Sequence, residues 1–153
     1  MAKDKGTLQG YIEVDRSFYL DFKEYYEEMI GCGINDCVPY STASTIYKTY
    51  SGLPAASYYF DDGQIIAKNG MLVMFENHTS SYILISVDVN GYKKGPNVLG
   101  KDVFTFQIID DVLKPMGAPG TARTDHSVYC SKTSDNPTNG ISCTQKMIMG
   151  EDY

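Results

Sequence analysis

Four side chains that carry oxygen ligands are grouped between residues 88 and 102. Asp88 and Asn90 alternate at the end of an apolar run, so both oxygens can turn toward one point. Asn97 and Asp102 return to the same neighbourhood after the bend at Gly95-Pro96. Carboxylate and amide oxygens are the ligands that Ca²⁺ takes in proteins, so Asp88, Asn90, Asn97 and Asp102 form a candidate calcium site.

A metal-free loop explains the same residues. Asp88 and Asp102 would then accept hydrogen bonds from N–H groups of the loop, as Asp side chains do in turns. Lys93 and Lys94 lie inside the loop and would oppose a divalent cation. The spacing also differs from that of an EF-hand. The residues leave both alternatives open, a calcium site or a hydrogen-bonded loop.

The four cysteines form two local pairs, Cys32 with Cys37 and Cys130 with Cys143. Neither spacing is the two-residue gap of a zinc knuckle or of a thioredoxin motif, and neither histidine is near a cysteine in the sequence. An even number of cysteines in an acidic, Gly- and Asn-rich chain predicts two structural disulfides made in an oxidising compartment. The alternative is four buried, reduced thiols in a cytosolic protein.

Catalytic groups are sparse. The run Asp125-His126-Ser127 contains the residue types of a triad, but triad members converge in space from separate segments. We therefore expect His126 to lie in a surface loop. The carboxylate pairs at 61–62 and 110–111 fall at turns, where Asp is favoured for backbone reasons. The sequence predicts no enzymatic activity.

Composition excludes further classes of function. The net charge is −6, from 13 basic and 19 acidic residues, which argues against nucleic acid because its binding depends on neutralising phosphates. The 42% apolar share is that of a folded chain, and no apolar run reaches the roughly 18 residues of a membrane span. We expect one domain over residues 1–153. Its 13 tyrosines suit contacts with other proteins.

The elements that would position these residues follow from hydrophobic periodicity. Residues 1–14 show little pattern, whereas an apolar stripe at helical spacing predicts an amphipathic helix near residues 16–30. From residue 56 the period becomes two, with turn signals at Asp62-Gly63, Asn69-Gly70 and Asn90-Gly91. This pattern predicts an antiparallel meander of four to five strands over residues 56–109.

The predicted fold is therefore α+β, with the N-terminal helix packed on one face of the meander. Residues 110–153 are rich in Gly, Pro, Ser, Thr and Asn, which predicts a loop-rich region tied down by a disulfide between Cys130 and Cys143.

One segment resembles a known family. Residues 87–106, VDVNGYKKGPNVLGKDVFTF, closely resemble a motif in the soluble heads of prepilin-type proteins, from the type II secretion and type IV pilus superfamily. Upstream, Phe18–Leu20, Cys32-Gly33 and Cys37 resemble the family's "F-YL…CG…C" segment. The Asp62-Gly63 turn matches as well, and the resemblance covers roughly residues 15–110.

The resemblance implies a structural subunit of a bacterial type IV pilus-like filament or of a type II secretion pseudopilus. Its partners would be other pilin or pseudopilin subunits, of the same or another kind, and it would be exported to the cell surface, the extracellular space or the periplasm. Members of the family begin with a cleavable leader, followed by a long hydrophobic helix that anchors the subunit in the membrane, and these 153 residues do not contain that helix. The alternative is a secreted or surface-displayed adhesin that binds a glycan or a protein through its tyrosines.

Overall fold

The computed structural model describes residues 16–26, 29–77 and 82–153. Its centre is a six-stranded sheet in which every strand pairs antiparallel with the next strand in the sequence. The strands are β1 Ile30–Gly31, β2 Gln64–Ile66, β3 Leu72–Glu76, β4 Ile83–Asp88, β5 Val103–Ile109 and β6 Val112–Pro115.

The helices of the described residues are short. They are α1 Phe18–Glu24, α2 Tyr40–Ile46, α3 His126–Tyr129 and α4 Cys143–Met149, with a 3-10 turn at Ser57–Tyr59. None of these described helices combines the length and the apolar character that crossing a membrane requires.

The fold predicted from the sequence is wrong. The expected helix over residues 16–30, packed on four or five strands, is not present, and the sheet has six strands. Helix α1 ends at Glu24, and Ile30–Gly31 forms an edge strand that pairs with β2. Two physical effects oppose the longer helix. Glutamates at positions 24, 27 and 28 place like charges three and four residues apart, and the open edge of β2 offers backbone partners to an extended chain.

The C-terminal region, predicted to be loop-rich, also contains regular elements. It contains β6 at the sheet edge, followed by α3 and α4. The N–H of Thr105 in β5 donates to Oγ1 of Thr144 in α4 over 2.9 Å, which attaches the helix to the sheet. Local composition does not predict β6 and α4, which contact the rest of the sheet.

Both faces of the sheet are covered, as the alternation of side chains along a strand requires. On one face, Leu72, Met74 and Leu84 pack in a cluster with Tyr47 and Phe60. On the other face, a second cluster joins residues of α1 to the strands, namely Phe18, Tyr19, Ile65, Val73, Phe75, Ile83 and Ile85. The strands are consequently apolar along most of their length.

Both predicted disulfides are present, Cys32–Cys37 and Cys130–Cys143. The first closes the turn that follows β1, and the second joins the end of α3 to the start of α4. Loop-entropy arguments assign about 2 kcal/mol to the shorter loop and about 3 kcal/mol to the longer one. Two disulfides are typical of proteins in an oxidising, extracellular environment.

Gln64 connects three parts of the fold although it is polar and fully buried. Its Oε1 accepts from the N–H of Val38 over 2.8 Å. Its Nε2 donates to the carbonyl oxygens of Val38, over 2.9 Å, and Phe60, over 2.7 Å. One amide thereby satisfies buried backbone groups of the segment before α2 and of the 3-10 turn.

We expect Gln64→Met to lower the free energy of unfolding by at least about 2 kcal/mol, because it leaves one buried N–H and two carbonyl groups without their partner. The matched control is Gln145→Met, at a half-buried glutamine of α4. Chemical denaturation of both variants measures the difference. Equal midpoints for the two variants would contradict this role of Gln64.

Candidate functional site

The candidate site is the loop of residues 89–102, which joins β4 to β5. Its two ends are held together because Asp88 lies opposite Val103 in the sheet. The N–H of Val89 also donates to the carbonyl oxygen of Asp102 over 3.0 Å. This closure brings the Asp88 and Asp102 positions to one end of the sheet.

The loop also pairs with the chain that follows α2. The N–H of Lys48 donates to the carbonyl oxygen of Asn97, and the N–H of Leu99 donates to that of Lys48, each over 2.9 Å. These bonds fix the middle of the loop to a segment some fifty residues away in the sequence.

Asp88 is completely buried and accepts three hydrogen bonds. Its Oδ1 accepts from the N–H groups of Gly91, over 2.8 Å, and Asn90, over 3.3 Å. Its Oδ2 accepts from the hydroxyl of Tyr47 over 2.9 Å. Burial raises the pKa of Asp88, and the hydrogen bonds from Tyr47 and Gly91 oppose that rise by favouring the charged form. Burial and the negative charge of Asp88 raise the pKa of Tyr47, so its hydroxyl stays a donor.

Asp102 holds the other side of the loop in the same way. Its Oδ1 accepts from the N–H of Val98 over 2.7 Å, and its Oδ2 accepts from the N–H of Asn97 over 2.8 Å. Nδ2 of Asn90 also donates to Oδ2, over 3.3 Å. Asn97 has φ of 56°, in the left-handed region that Asn tolerates better than most residues.

The structure therefore brings together all four residues of the predicted calcium site. Their carboxylates are engaged, since each accepts three hydrogen bonds of the roughly four that its lone pairs allow. Oδ1 of Asn90 and Oδ1 of Asn97 are buried and accept no hydrogen bond from the described residues. The geometry is that of a hydrogen-bonded loop, and the two amide oxygens are the atoms left for a cation. A calcium site stays the alternative to the hydrogen-bonded loop.

The loop packs against the turn between β2 and β3. Gly91 has φ of 82°, and a Cβ at this position would collide with the carbonyl oxygen of Gly70. Beside this contact lies a cavity of about 240 Å³, lined by Ile66, Gly70 and residues 90–94. Glycine at position 91 is required both by its conformation and by this close approach.

A second group of acidic side chains lies at the opposite end of the sheet. Ligand atoms of Asp61, Asp62 and Glu76 lie within 4.8 Å of one another, which is a donor set for a metal ion. However, Asp62 is already engaged by Nε of Arg16 at 2.9 Å and by the N–H of Asn77 at 2.9 Å. Burial and the neighbouring charge of Asp62 raise the pKa of Asp61.

Sequence reasoning placed Asp61 and Asp62 in a turn and missed their third member. The signal that could have found Glu76 is the strand register. Gln64 pairs with Met74, so the residues before β2 lie beside the end of β3.

The run Asp125-His126-Ser127 forms no triad. Oδ1 of Asp125 accepts from the N–H of Ser127, over 2.9 Å, and from its hydroxyl, over 2.6 Å, so it caps α3. These bonds lower the pKa of Asp125. His126 is the first residue of α3 and is half-buried, not in a surface loop as expected. His78 lies outside the described residues.

Comparison with known proteins does not identify the chain. No protein-family model matches it, and neither the curated proteins nor the solved structures contain a significant match.

We expect Asp88→Ala to destabilise the protein by about 1–3 kcal/mol, because the N–H groups of the loop and the hydroxyl of Tyr47 lose their buried acceptor. Denaturant titration measures the change. The control is Asp135→Ala, at an exposed aspartate, which should stay within about 0.5 kcal/mol of the wild type. A neutral Asp88→Ala variant would show that the loop does not depend on this carboxylate.

Since both carboxylates already accept hydrogen bonds, we expect the melting temperature to be the same in millimolar calcium and in chelator. A calcium site selective for the folded protein would instead add about 2.7 kcal/mol at a hundredfold excess over its dissociation constant. Thermal melting in the two conditions separates these cases. A rise that Asn97→Ala abolishes would contradict the metal-free loop and assign Oδ1 of Asn97 as a ligand.

Proposed function

We propose that this chain is a structural subunit of a bacterial type IV pilus-like filament or of a type II secretion pseudopilus, exported to the cell surface or the periplasm. The observation that carries the proposal is the construction of the loop of residues 89–102, within the segment 87–106. The segment that resembles the prepilin-type motif is the segment in which Asp88, Asn90, Asn97 and Asp102 hold the backbone together.

The role of these residues in the fold supports a structural function. Asp88, Asn90, Asn97 and Asp102 each bond to the loop itself or to Tyr47. These four residues of the motif are thus accounted for by a rigid connection between β4 and β5. Two disulfides add stability that suits a subunit exposed outside the cytoplasm. The partners would be further copies of this chain or related subunits.

A surface-displayed binding module is the second candidate, and one cluster favours it. The guanidinium of Arg123 lies 5.4 Å from the ring centre of Tyr129, and the rings of Tyr58 and Tyr59 are 4.9 Å apart. Tyr58 is 48% exposed. Tyrosine and arginine side chains are enriched in binding hot spots for proteins, and an exposed ring also suits contact with a sugar.

Immunogold electron microscopy on cells that produce the protein tests the proposal. We expect antibodies raised against this chain to label filaments on the cell, or pseudopili when the secretion system is overproduced. Cells that lack the gene are the control. Surface labelling without filaments or pseudopili would contradict the subunit proposal and favour the binding module. Labelling confined to the cytoplasm would contradict both.

A further inference from the structure

Exposed lysines gather at one end of the sheet. Because the sheet is a meander, the turn between β2 and β3 and the loop between β4 and β5 lie at the same end. Four exposed lysines lie on these two connections, and we call them the basic end: Lys68, Lys93, Lys94 and Lys101. On these two connections and at the end of β4, the carboxylates are Asp88 and Asp102. Both are buried and accept hydrogen bonds from the loop, so the exposed charges of the two connections are those of lysines.

Carboxylates gather at the opposite end. Five of them lie before β2, at the end of β3 and in the turn between β5 and β6, and we call them the acidic end: Asp61, Asp62, Glu76, Asp110 and Asp111. Two arginines lie nearby. Arg16 binds Asp62, and Arg123 lies against the ring of Tyr129. Asp62 and Glu76 are buried and Asp61 is half-buried, so the acidic end is exposed mainly at Asp110 and Asp111.

Each end also presents apolar surface beside its charges. At the basic end, the cavity of about 240 Å³ is lined by Ile66 and Tyr92 next to Lys93 and Lys94. At the acidic end, Val112 and Leu113 follow the Asp110-Asp111 turn directly and are each 53% exposed. The two ends thus carry opposite exposed charges, and each also presents apolar surface.

We propose that the acidic end of one copy docks on the basic end of the next copy, with the β5–β6 turn against the loop of residues 92–94. This inference rests on the proposed function of a filament subunit and specifies the surface that joins its subunits. The two ends are different surfaces of one chain, so the contact is heterologous and can repeat without closing. Successive copies would be stacked along the direction of the strands.

The occupant is a second copy because the same chain carries both partners of the ion pairs. Opposite charges brought together across an interface favour the encounter and fix its register, whereas like charges exclude other orientations. A contact between two basic ends or two acidic ends would be repelled. The charges therefore select the head-to-tail arrangement over a symmetric dimer.

Zero-length carbodiimide crosslinking tests the contact directly, because it joins only lysines and carboxylates that already touch. The protein is crosslinked at high concentration and low salt, and the linked peptides are identified by mass spectrometry. We expect links from Lys93 or Lys94 to Asp110 or Asp111 between copies. Since salt screens exposed charges, their yield should fall about tenfold in 1 M salt.

Two variants show whether the contact is head-to-tail. Lys93→Glu/Lys94→Glu reverses two charges of the basic end, and Asp110→Asn/Asp111→Asn neutralises two charges of the acidic end. Asparagine tolerates the positive φ of 51° and 60° at these two positions, so the turn is preserved. We expect each variant alone to lose crosslinked oligomers at least tenfold. An equal mixture should form dimers of one copy of each variant and nothing longer, since only one intact contact remains.

The control is Lys132→Glu, at an exposed lysine outside the basic end, which should self-associate like the wild type. Four outcomes would overturn the proposal. The wild type does not associate, the two end variants associate like the wild type, the links join like ends, or the mixture forms no mixed dimers. Binding of the wild type to vesicles of phosphatidylglycerol without self-association would do so as well, and would assign the lysines to a membrane surface.

The outcome is independent of the test of function. Filaments labelled by the antibody but lacking links between the two ends would refute this contact and leave the subunit proposal intact. Links between the ends without labelled filaments or pseudopili would refute the subunit proposal and leave the contact intact.

Discussion

A buried carboxylate, Asp88, is the constraint on which one whole end of the structure depends. Removing a charged carboxylate from water costs several kcal/mol unless donors replace the water. Here Tyr47, Asn90 and Gly91 supply three of them. Tyr47 lies in the chain after α2, and the other two donors lie at the start of the loop. Their hydrogen bonds to Asp88 therefore fix both segments relative to β4. Asp102 repeats the arrangement on the other side of the loop.

This arrangement explains how fourteen residues without regular structure connect two adjacent strands. A loop of that length exposes many backbone groups, and buried ones need partners. Asp88 and Asp102 accept from backbone N–H groups, while the side chain of Asn97 donates to the carbonyl oxygen of Tyr92. The polar side chains are directed inward to the backbone, which leaves Lys93 and Lys94 on the surface. The inward direction of the other polar side chains therefore both orders the loop and leaves its lysines as the exposed charges.

The antiparallel order of the strands from β2 to β5 could be predicted from the sequence, because turn residues such as Asn69-Gly70 and Asn90-Gly91 are local signals. Cysteine spacing likewise predicted both disulfides. The apolar stripe from Phe18 to Ile30 led to the wrong prediction of one long helix. Its aromatic residues can pack in a core from a helix or from a strand, and only the pairing with β2 assigns Ile30 to a strand. Contacts between distant segments were equally invisible. Tyr47 and Asp88 are 41 residues apart, so the N–H donors of the loop were predicted but the hydroxyl of Tyr47 was not.

The shape of the sheet decides which of its surfaces can join copies. An exposed edge strand is the usual route for one sheet to add to another, and short edges suppress it. Strand β1 has two residues and β6 has four, with a proline at the end of β6 that cannot donate to a ladder. Both faces are covered by the two apolar clusters. Among the residues that the structure describes, this leaves the turns at the two ends, which are where the meander places exposed lysines and carboxylates.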